Sequence, residues 1–309
     1  MSDTSTPILH HFEASPFSEK IRIIFGFKRI AWQSVLIPRI MPKPDLVPLT
    51  GGYRRTPVMQ IGADIFCDTQ IIQREIEARF PEPSLFPGHN RGLPWMTGLW
   101  TDRIFFGTTV FLVFGTLGDK VPQSFIDDRT KLRGAPFDVE AMKAAVPHHR
   151  DQFRAQAAMI EAQLDGGQPF LLGEFSLVDA GCYMNIWYVR SNLPELADEL
   201  LAEFPRLRHW EDRVRSLGHG TRSDISGEAA LQIAAQASPA APARGASGDF
   251  WGRKIGDRVK VSADEPVKTP IEGEIVSHSV DHIAIRRHDS TLGEVVVHFP
   301  RMGYLVSDA

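Results

Sequence analysis

The spacing of apolar and polar residues divides the chain into parts with different periodicities. Short apolar runs alternate with helical spacings in the first part, and helical spacing dominates the long middle part. In the last part, apolar residues recur at every second position, which is typical of half-buried β-strands. We therefore predict an α/β unit at residues 7–83, an all-helical unit at 95–237, a linker at 238–249 and a small β module at 250–309.

The first part has the element order of a thioredoxin-like unit. Helical spacing follows Ser15, whose hydroxyl is suited to cap a helix that has Pro16 at its first position. A second helix is predicted to start after Asp68 or Thr69. Together with the strands, these helices give the order β-α-β-loop-β-β-α. The strand-like runs are at residues 7–12, 32–37, 57–61 and 65–67.

The middle part predicts a bundle of helices, and the last part predicts a small barrel. Ser176-x-x-Asp179 is a capping box before a helix that is apolar on several faces, so we expect a buried helix that starts at this box. About five short strands near the C-terminus suggest an SH3-like module. The linker before it, rich in alanine, proline and glycine, is predicted to be mobile. The expected fold class is α+β: a thioredoxin-like domain, a helical domain and an SH3-like β-barrel.

Composition and charge restrict the function. The 309 residues include 34 basic and 38 acidic side chains, so the formal net charge is −4, which argues against a nucleic-acid partner. The first residues lack the features of a targeting signal, and no apolar run is long enough to span a membrane. We therefore expect a cytoplasmic protein without a membrane partner. The two cysteines suit a reducing compartment, and no spacing of ligating residues indicates a metal site.

Three local motifs, in their order along the chain, resemble those of the cytosolic glutathione transferases. The first is Ser15-Pro-Phe-Ser-Glu-Lys-Ile-Arg22, at the turn where the zeta and omega classes carry a Ser or Cys. The second is Arg55-Thr-Pro-Val58, which is similar to the family's segment with a cis-proline before a strand. The third is Asp68-Thr69, where the family usually has Glu-Ser or Asp-Ser. The resemblance covers residues 7–225 and leaves the C-terminal module outside it.

The resemblance implies that Ser15 activates the thiol of glutathione. Glutathione reacts as a thiolate, and a hydroxyl donor at a helix N-terminus lowers the pKa of a thiol, with help from the helix dipole. The backbone amide of Phe17 or Ser18 would face the same sulfur. The alternative is that Ser15 is only the N-cap of its helix, because a cap and a thiolate donor share one geometry.

The resemblance also implies how the rest of glutathione is bound. Pro57 would be cis and would expose the backbone of Val58 to the cysteinyl part of the tripeptide; the alternative is a trans proline at a strand start. The helix N-terminus at Asp68 and Thr69 suits the γ-glutamyl carboxylate and amine, unless both residues are plain caps. Arg55 would bind the glycyl carboxylate, unless its side chain is merely solvated.

The expected reaction is the attack of glutathione on an apolar electrophile. Ser15 and Ser18 stand where thiol–disulfide exchange would need cysteines, so exchange through a protein thiol is not expected. The electrophile pocket is expected between the two domains. Its candidate lining residues, which are alternatively core or dimer-interface residues, are Trp95, Trp100, Phe105, Phe106, Phe111 and Phe114.

Two other functions remain open from the sequence. One is a glutathione-dependent lyase or isomerase, although the turn lacks the Ser-Ser-Cys of the maleylacetoacetate isomerases. The other is a non-catalytic binding protein of the same fold, whose C-terminal module recruits a partner. In each case the resemblance implies a homodimer, and for the transferase it implies a role in detoxification.

Overall fold

The computed structural model describes residues 5–240 and 252–309, and one mixed sheet runs through both ranges. Its strands are β1 (Ile8–His11), β2 (Ala31–Leu36), β3 (Val58–Ile61), β4 (Asp64–Cys67), β5 (Thr221–Asp224), β6 (Arg258–Ala263), β7 (Ile271–His278), β8 (His282–Asp289), β9 (Gly293–Pro300) and β10 (Tyr304–Asp308). Across the sheet they follow the order β10-β6-β7-β8-β9-β4-β3-β1-β2-β5.

Helices cover both faces of the N-terminal half of this sheet. They are α1 (Pro16–Phe27), α2 (Val47–Thr50), α3 (Thr69–Arg79), α4 (Leu93–Leu99), α5 (Phe106–Leu117), α6 (Gln123–Arg133), α7 (Val139–Gln163), α8 (Leu177–Asn192), α9 (Pro194–Leu201), α10 (Pro205–Ser216) and α11 (Gly227–Gln236). A π-helical segment, Trp100–Phe105, joins α4 to α5. None of the helices in the described ranges is both long and apolar enough to cross a bilayer.

The N-terminal part has the predicted thioredoxin-like arrangement. β1 pairs in parallel with β2 and antiparallel with β3, and β3 and β4 form a hairpin. Pro16 is the first residue of α1, and the Oγ of Ser15 accepts a hydrogen bond from the Ser18 amide at 3.2 Å. Apolar residues of α1 and α3 belong to the core shared with the helical part, whereas α2 and α11 pack on the other face of the sheet.

The helical part is built around α8, as the capping box predicts. Ser176 caps α8, and the Asp179 carboxylate accepts bonds from the Ser176 amide at 3.0 Å and from the Ser176 hydroxyl at 2.9 Å. Two more donors reach the same buried carboxylate, the Leu171 amide at 2.9 Å and the Trp210 indole at 2.8 Å. The motif therefore ties the start of α8 to α10 and to the preceding loop, which is a structural role.

One glycine allows α8 to approach the π-helical segment closely. A Cβ atom at Gly181 would lie only 2.7 Å from the Oγ1 of Thr101, so a larger residue would push the two elements apart. The Nδ2 of Asn185 donates to the Thr101 carbonyl at 3.0 Å and fixes the same contact. This packing places Asp102, the next residue, beside the N-terminal domain.

The C-terminal strands have the order expected for an SH3-like module. β6 to β9 form an antiparallel meander, and β10 returns to pair with β6. The sequence did not indicate that this module continues the thioredoxin-like sheet: β9 pairs in parallel with β4. His298 of β9 bonds Asp64 Oδ1 at 2.8 Å and stacks on Phe66, with ring centres 4.4 Å apart.

Two elements that the sequence did not predict, α6 and β5, lack a clear apolar period. α6 is polar around most of its circumference, and Asp128 is its only buried residue. β5 consists of four polar residues and pairs in parallel with β2 at the edge of the sheet. Of the predicted linker, residues 238–240 are described, and the Ala240 amide donates to Asp64 Oδ2 at 2.7 Å. The rest of the predicted mobile linker lies outside the described residues.

Candidate active site

A cavity of about 350 Å³ lies at the N-terminus of α3, where all three parts of the chain meet. We call it the polar cavity. Pro57, Asp68 and Thr69 line it, as the sequence-based assignment requires. The C-terminal module closes one side of it with Glu265 and Tyr304.

Asp68 is held in an unusual backbone conformation at the wall of the polar cavity. Its φ of 94° lies in the left-handed region that residues other than glycine rarely adopt. Its Oδ1 accepts a bond from the Gln70 amide at 2.9 Å, and its Oδ2 lies 3.2 Å from the Tyr304 hydroxyl. Burial raises the pKa of this carboxyl. Backbone strain and a buried carboxylate are features that concentrate at binding sites.

A buried ion pair crosses the domain boundary beside Asp68. The Nζ of Lys20 in α1 lies 2.8 Å from Oδ1 and 2.7 Å from Oδ2 of Asp102 in the π-helical segment. The Lys20 side chain is 3% exposed and that of Asp102 is 22% exposed. Both residues line the polar cavity. The pair therefore connects the two domains and forms part of the cavity wall.

We expect Asp102→Asn to lower the free energy of unfolding by about 2 kcal/mol, since it leaves the Lys20 ammonium buried without a counter-charge. Urea denaturation at neutral pH measures this. Asp212→Asn is the matched control, because Asp212 is exposed and pairs with the exposed Arg215 at 3.1 Å. That control is expected to change the value by less than about 0.5 kcal/mol. An Asp102→Asn protein as stable as the wild type would show that the pair contributes nothing.

Arg55 has a partner within the chain. Its guanidinium forms an ion pair with Glu265, which follows β6 of the C-terminal module. Both side chains are about one-third exposed, at 33% and 37%. The residue that the sequence assigns to the glycyl carboxylate of glutathione therefore already contacts a carboxylate of the module.

A second, larger cavity of about 970 Å³ adjoins the first. We call it the aromatic cavity, because phenylalanines of α5 and α6 form much of its wall. Ser15 lies on its wall at the N-terminus of α1. The two cavities share part of their walls, so they lie next to each other. The shared residues are Phe17, Arg55, Thr56, Arg103 and Glu265.

The predicted aromatic lining is correct for three of its six residues. Those that line the aromatic cavity are Phe106, Phe111 and Phe114. Phe105 is fully buried in the core, and Trp100, which is partly buried, stacks against it with ring centres 5.3 Å apart. Adjacent helical residues point about 100° apart, which separates Phe105 from Phe106. Trp95 lines the polar cavity instead.

Comparisons with known proteins identify the family. A model of the glutathione S-transferase N-terminal domain matches residues 9–84, and one of the glutathione S-transferase C-terminal domain matches residues 143–213. The crystal structure of a GST-like protein from Pseudomonas syringae is 36% identical in sequence, with a TM-score of 0.83; the match covers 99% of this chain and 100% of that one. The chain belongs to the glutathione S-transferase superfamily.

More distant members of the superfamily share the fold. A glutathione S-transferase from Rhodospirillum rubrum is 18% identical over 68% of this chain and 88% of its own, with a TM-score of 0.53. A tau class glutathione S-transferase from mango is 19% identical over 75% of this chain and 96% of its own, with a TM-score of 0.52. A search of the curated proteins found no match. The Pseudomonas match spans nearly the whole chain, so it includes the C-terminal strands.

The predicted site residues of this glutathione S-transferase superfamily member are distributed over the two cavities. The bond between Thr56 and Pro57 is cis, as expected from the resemblance. Asp68 and Thr69 line only the polar cavity and Ser15 only the aromatic one, whereas Phe17 and Arg55 line both. Val58 is buried in β3, paired with His10 and Cys67, and its side chain is not on either wall.

Sequence reasoning missed several wall residues. Asp102 and Arg103 were detectable, because they are the only charged residues in the run 93–117. No local sequence pattern marked Glu265 or Tyr304 as a wall residue. Both reach the cavity only because the C-terminal module joins the sheet.

Proposed function

We propose that this protein binds glutathione in the polar cavity and activates its thiol at Ser15 for attack on an electrophile in the aromatic cavity. The observation that carries the proposal is the shared wall of the two adjacent cavities. A tripeptide with charged ends suits the polar cavity, and an apolar co-substrate suits the aromatic one. Phe17, two residues after Ser15, lines both, so the hydroxyl lies close to where they meet.

The polar cavity offers complementary groups to the γ-glutamyl end of glutathione. The free amides of the first turn of α3 and the Thr69 hydroxyl suit its carboxylate. The Asp68 carboxylate suits its ammonium group, and a counter-charge of this kind offsets the burial of Asp68. Thr56 and the cis-proline Pro57 line the polar cavity, so the cysteinyl part would lie against these two residues. Arg55 would bind the glycyl carboxylate in exchange for Glu265.

Ser15 has a hydrogen available for the thiolate. Its Oγ accepts from the Ser18 amide, which uses a lone pair and leaves the hydroxyl hydrogen free to point at a sulfur atom. The N-terminus of α1 adds a positive potential at the same place. Both effects favour the thiolate over the thiol and so lower the pKa of bound glutathione. The thiolate sulfur then forms a bond to the electrophilic carbon, and a leaving group departs with its bonding electrons.

Glutathione binding and turnover test this proposal. We expect the full chain to bind glutathione in calorimetry and to conjugate it to 1-chloro-2,4-dinitrobenzene. Thr69→Val should raise the KM for glutathione about 10-fold with little change in kcat, because it removes a hydrogen bond to a charged carboxylate. Thr97→Val is the matched control, since Thr97 lies on neither cavity wall. A Thr69→Val protein with the wild-type KM would contradict this placement of the γ-glutamyl group.

One observation favours a second candidate, a non-catalytic binding protein of this fold. Two groups that the first proposal assigns to glutathione have partners in the C-terminal module: Arg55 pairs with Glu265, and Asp68 lies beside the Tyr304 hydroxyl. Absence of glutathione binding at millimolar concentration would support this candidate over the transferase. Retention of glutathione by Glu265→Gln but not by the wild type would identify the module as the cause. Sedimentation of the same protein tests the expected homodimer.

A further inference from the structure

The wall of the aromatic cavity carries an excess of positive charge. Eight lysine or arginine side chains line it in the described part of the chain, against one carboxylate, that of Glu265. Glu265 is itself paired with Arg55. A purely apolar co-substrate would form no favourable electrostatic interaction with these charges, and placing cations next to an apolar cavity costs free energy. The charge therefore requires a separate explanation.

Two of these cations contact a single carboxylate on one side of the cavity, and a third cation lies beside them. Arg54 forms an ion pair with Asp128, and Arg129 lies 3.5 Å from the other oxygen of the same carboxylate. The Nζ of Lys43 donates to the Arg54 carbonyl at 2.9 Å and to Thr56 Oγ1 at 3.0 Å, and pairs with no carboxylate among residues 5–240 and 252–309. We call Lys43, Arg54 and Arg129 the cation cluster. The Asp128 carboxylate offsets one of the three positive charges of the cation cluster, so two have no counter-charge among the described residues.

The electrostatics of the cluster agree with a missing counter-charge. Burial, with repulsion from Arg129 and Arg54, lowers the pKa of Lys43 to about 8. Burial and the charge of Arg54 also act to lower the pKa of Arg129. The Nε of Arg54 is buried and donates to no acceptor in the described part of the chain. An anion at this place would accept a bond from this otherwise unsatisfied donor and would offset the charge of its neighbours.

The cluster adjoins the aromatic wall. The Arg129 guanidinium lies 4.6 Å from the centre of the Phe125 ring. Phe125 stacks with Phe114, with ring centres 5.3 Å apart, and both contact Phe137 edge-on. A molecule with an aromatic body and an anionic end would thus place each part against a matching surface.

We infer that the co-substrate of the aromatic cavity is an aromatic or otherwise apolar electrophile that carries a carboxylate or similar anionic group bound by the cation cluster. This inference rests on the function proposed above. The thiolate of glutathione attacks the electrophilic carbon and forms a carbon–sulfur bond, while the leaving group departs with the electrons of the broken bond. The anionic group takes no part in these bond changes and only orients the molecule.

Glutathione also carries carboxylates, but the geometry favours the co-substrate as the source of the anion. Lys43, Arg54 and Arg129 line the aromatic cavity only, whereas Asp68 and Thr69 line the polar cavity only. The test must nevertheless separate these two sources, because Thr56 contacts Lys43 and lines both cavities.

A binding experiment tests the inference without requiring turnover. The probes are 3,5-dinitrobenzoate and its methyl ester, which differ in charge but share the aromatic body. We expect calorimetry on the full chain at low salt to show that the acid binds at least about 10-fold more tightly than the ester. The preference should shrink as salt is added, because the site is partly open to solvent. Arg129→Gln should abolish it.

Two further variants make the result specific. Arg133→Gln removes another cation from the same wall, one turn further along α6 and outside the cluster, and should retain most of the preference for the acid. Asp128→Asn removes the competing carboxylate and should make the acid bind more tightly than it does to the wild type. If Arg129→Gln does not fold, the affinity of Asp128→Asn for the acid tests the inference instead. Glutathione should bind to Arg129→Gln as it does to the wild type.

Several outcomes would overturn the inference. The first is that the wild type binds the acid and the ester equally tightly. The second is that Arg133→Gln and Arg129→Gln lose the preference for the acid to the same extent. The third is that Arg129→Gln weakens the affinity for glutathione by the same factor as the affinity for the acid. The fourth is unchanged acid binding by Asp128→Asn. A cluster-dependent preference for the acid in a chain that does not conjugate glutathione would refute the proposed function and leave the anion site in place.

Discussion

Replacing Asp179 with alanine is expected to lower the free energy of unfolding by at least about 3 kcal/mol, the largest effect on stability that we predict for a single site. Four donors converge on this fully buried carboxylate: the amides of Leu171 and Ser176, the Ser176 hydroxyl and the Trp210 indole. Alanine leaves all four without their acceptor in the interior, and each unsatisfied group costs about 1 to 3 kcal/mol before the structure relaxes.

Urea denaturation at pH 7.5 measures the effect of Asp179→Ala. Burial raises the pKa of Asp179 to about 6, so at this pH the carboxyl is ionised and accepts all four bonds. Asp179→Asn should give an intermediate loss, because its amide still offers one oxygen but turns an NH2 group toward donors. Asp165→Ala is the control, since this exposed residue forms its ion pair with the half-exposed Arg206. A loss no larger than that of the control would show that α8 does not depend on its capping box.

Ser15→Ala should lower kcat/KM for 1-chloro-2,4-dinitrobenzene about 10- to 100-fold, the largest effect on activity that we predict. This range corresponds to the loss of one hydrogen bond to a charged group, about 1.5 to 3 kcal/mol. The pKa of bound glutathione should rise in the variant, because the thiolate loses a donor while the thiol does not. The rate of the variant should therefore keep increasing with pH beyond the point at which the wild type has levelled off.

Two controls separate this chemistry from helix capping. Ser18→Ala removes a hydroxyl from the same turn of α1; the Oγ of Ser18 is buried and has no partner among the described residues, so activity should persist. Ser15→Asp keeps an oxygen that accepts from the Ser18 amide, but its negative charge opposes the thiolate. We expect Ser15→Asp to unfold near the wild-type midpoint and to be inactive. If Ser15→Ala turned over the substrate at the wild-type rate, Ser15 would act only as the N-cap of α1.

Local features of the chain were predictable because they depend on residues within one helical turn of each other. A hydroxyl before a proline placed the start of α1, and a Ser-x-x-Asp spacing placed the start of α8. Apolar spacing likewise predicted β1 to β4 and, in the C-terminal module, β6 to β9. Elements without an apolar period, such as α6 and β5, were missed because their positions depend on packing partners elsewhere.

The sequence by itself determined the fold class and the helix starts after Ser15 and Asp68, since capping and periodicity act over short distances. The cis bond at Pro57 followed from the family resemblance. Only the tertiary structure decided that β9 joins β4, that Glu265 reaches Arg55, and that Arg54 and Arg129 meet at Asp128 with Lys43 beside them. The physical reason is that an unpaired strand edge presents the same amide and carbonyl groups whatever its sequence. Which distant segment pairs with it, and which charges then meet, depends on how the layers pack.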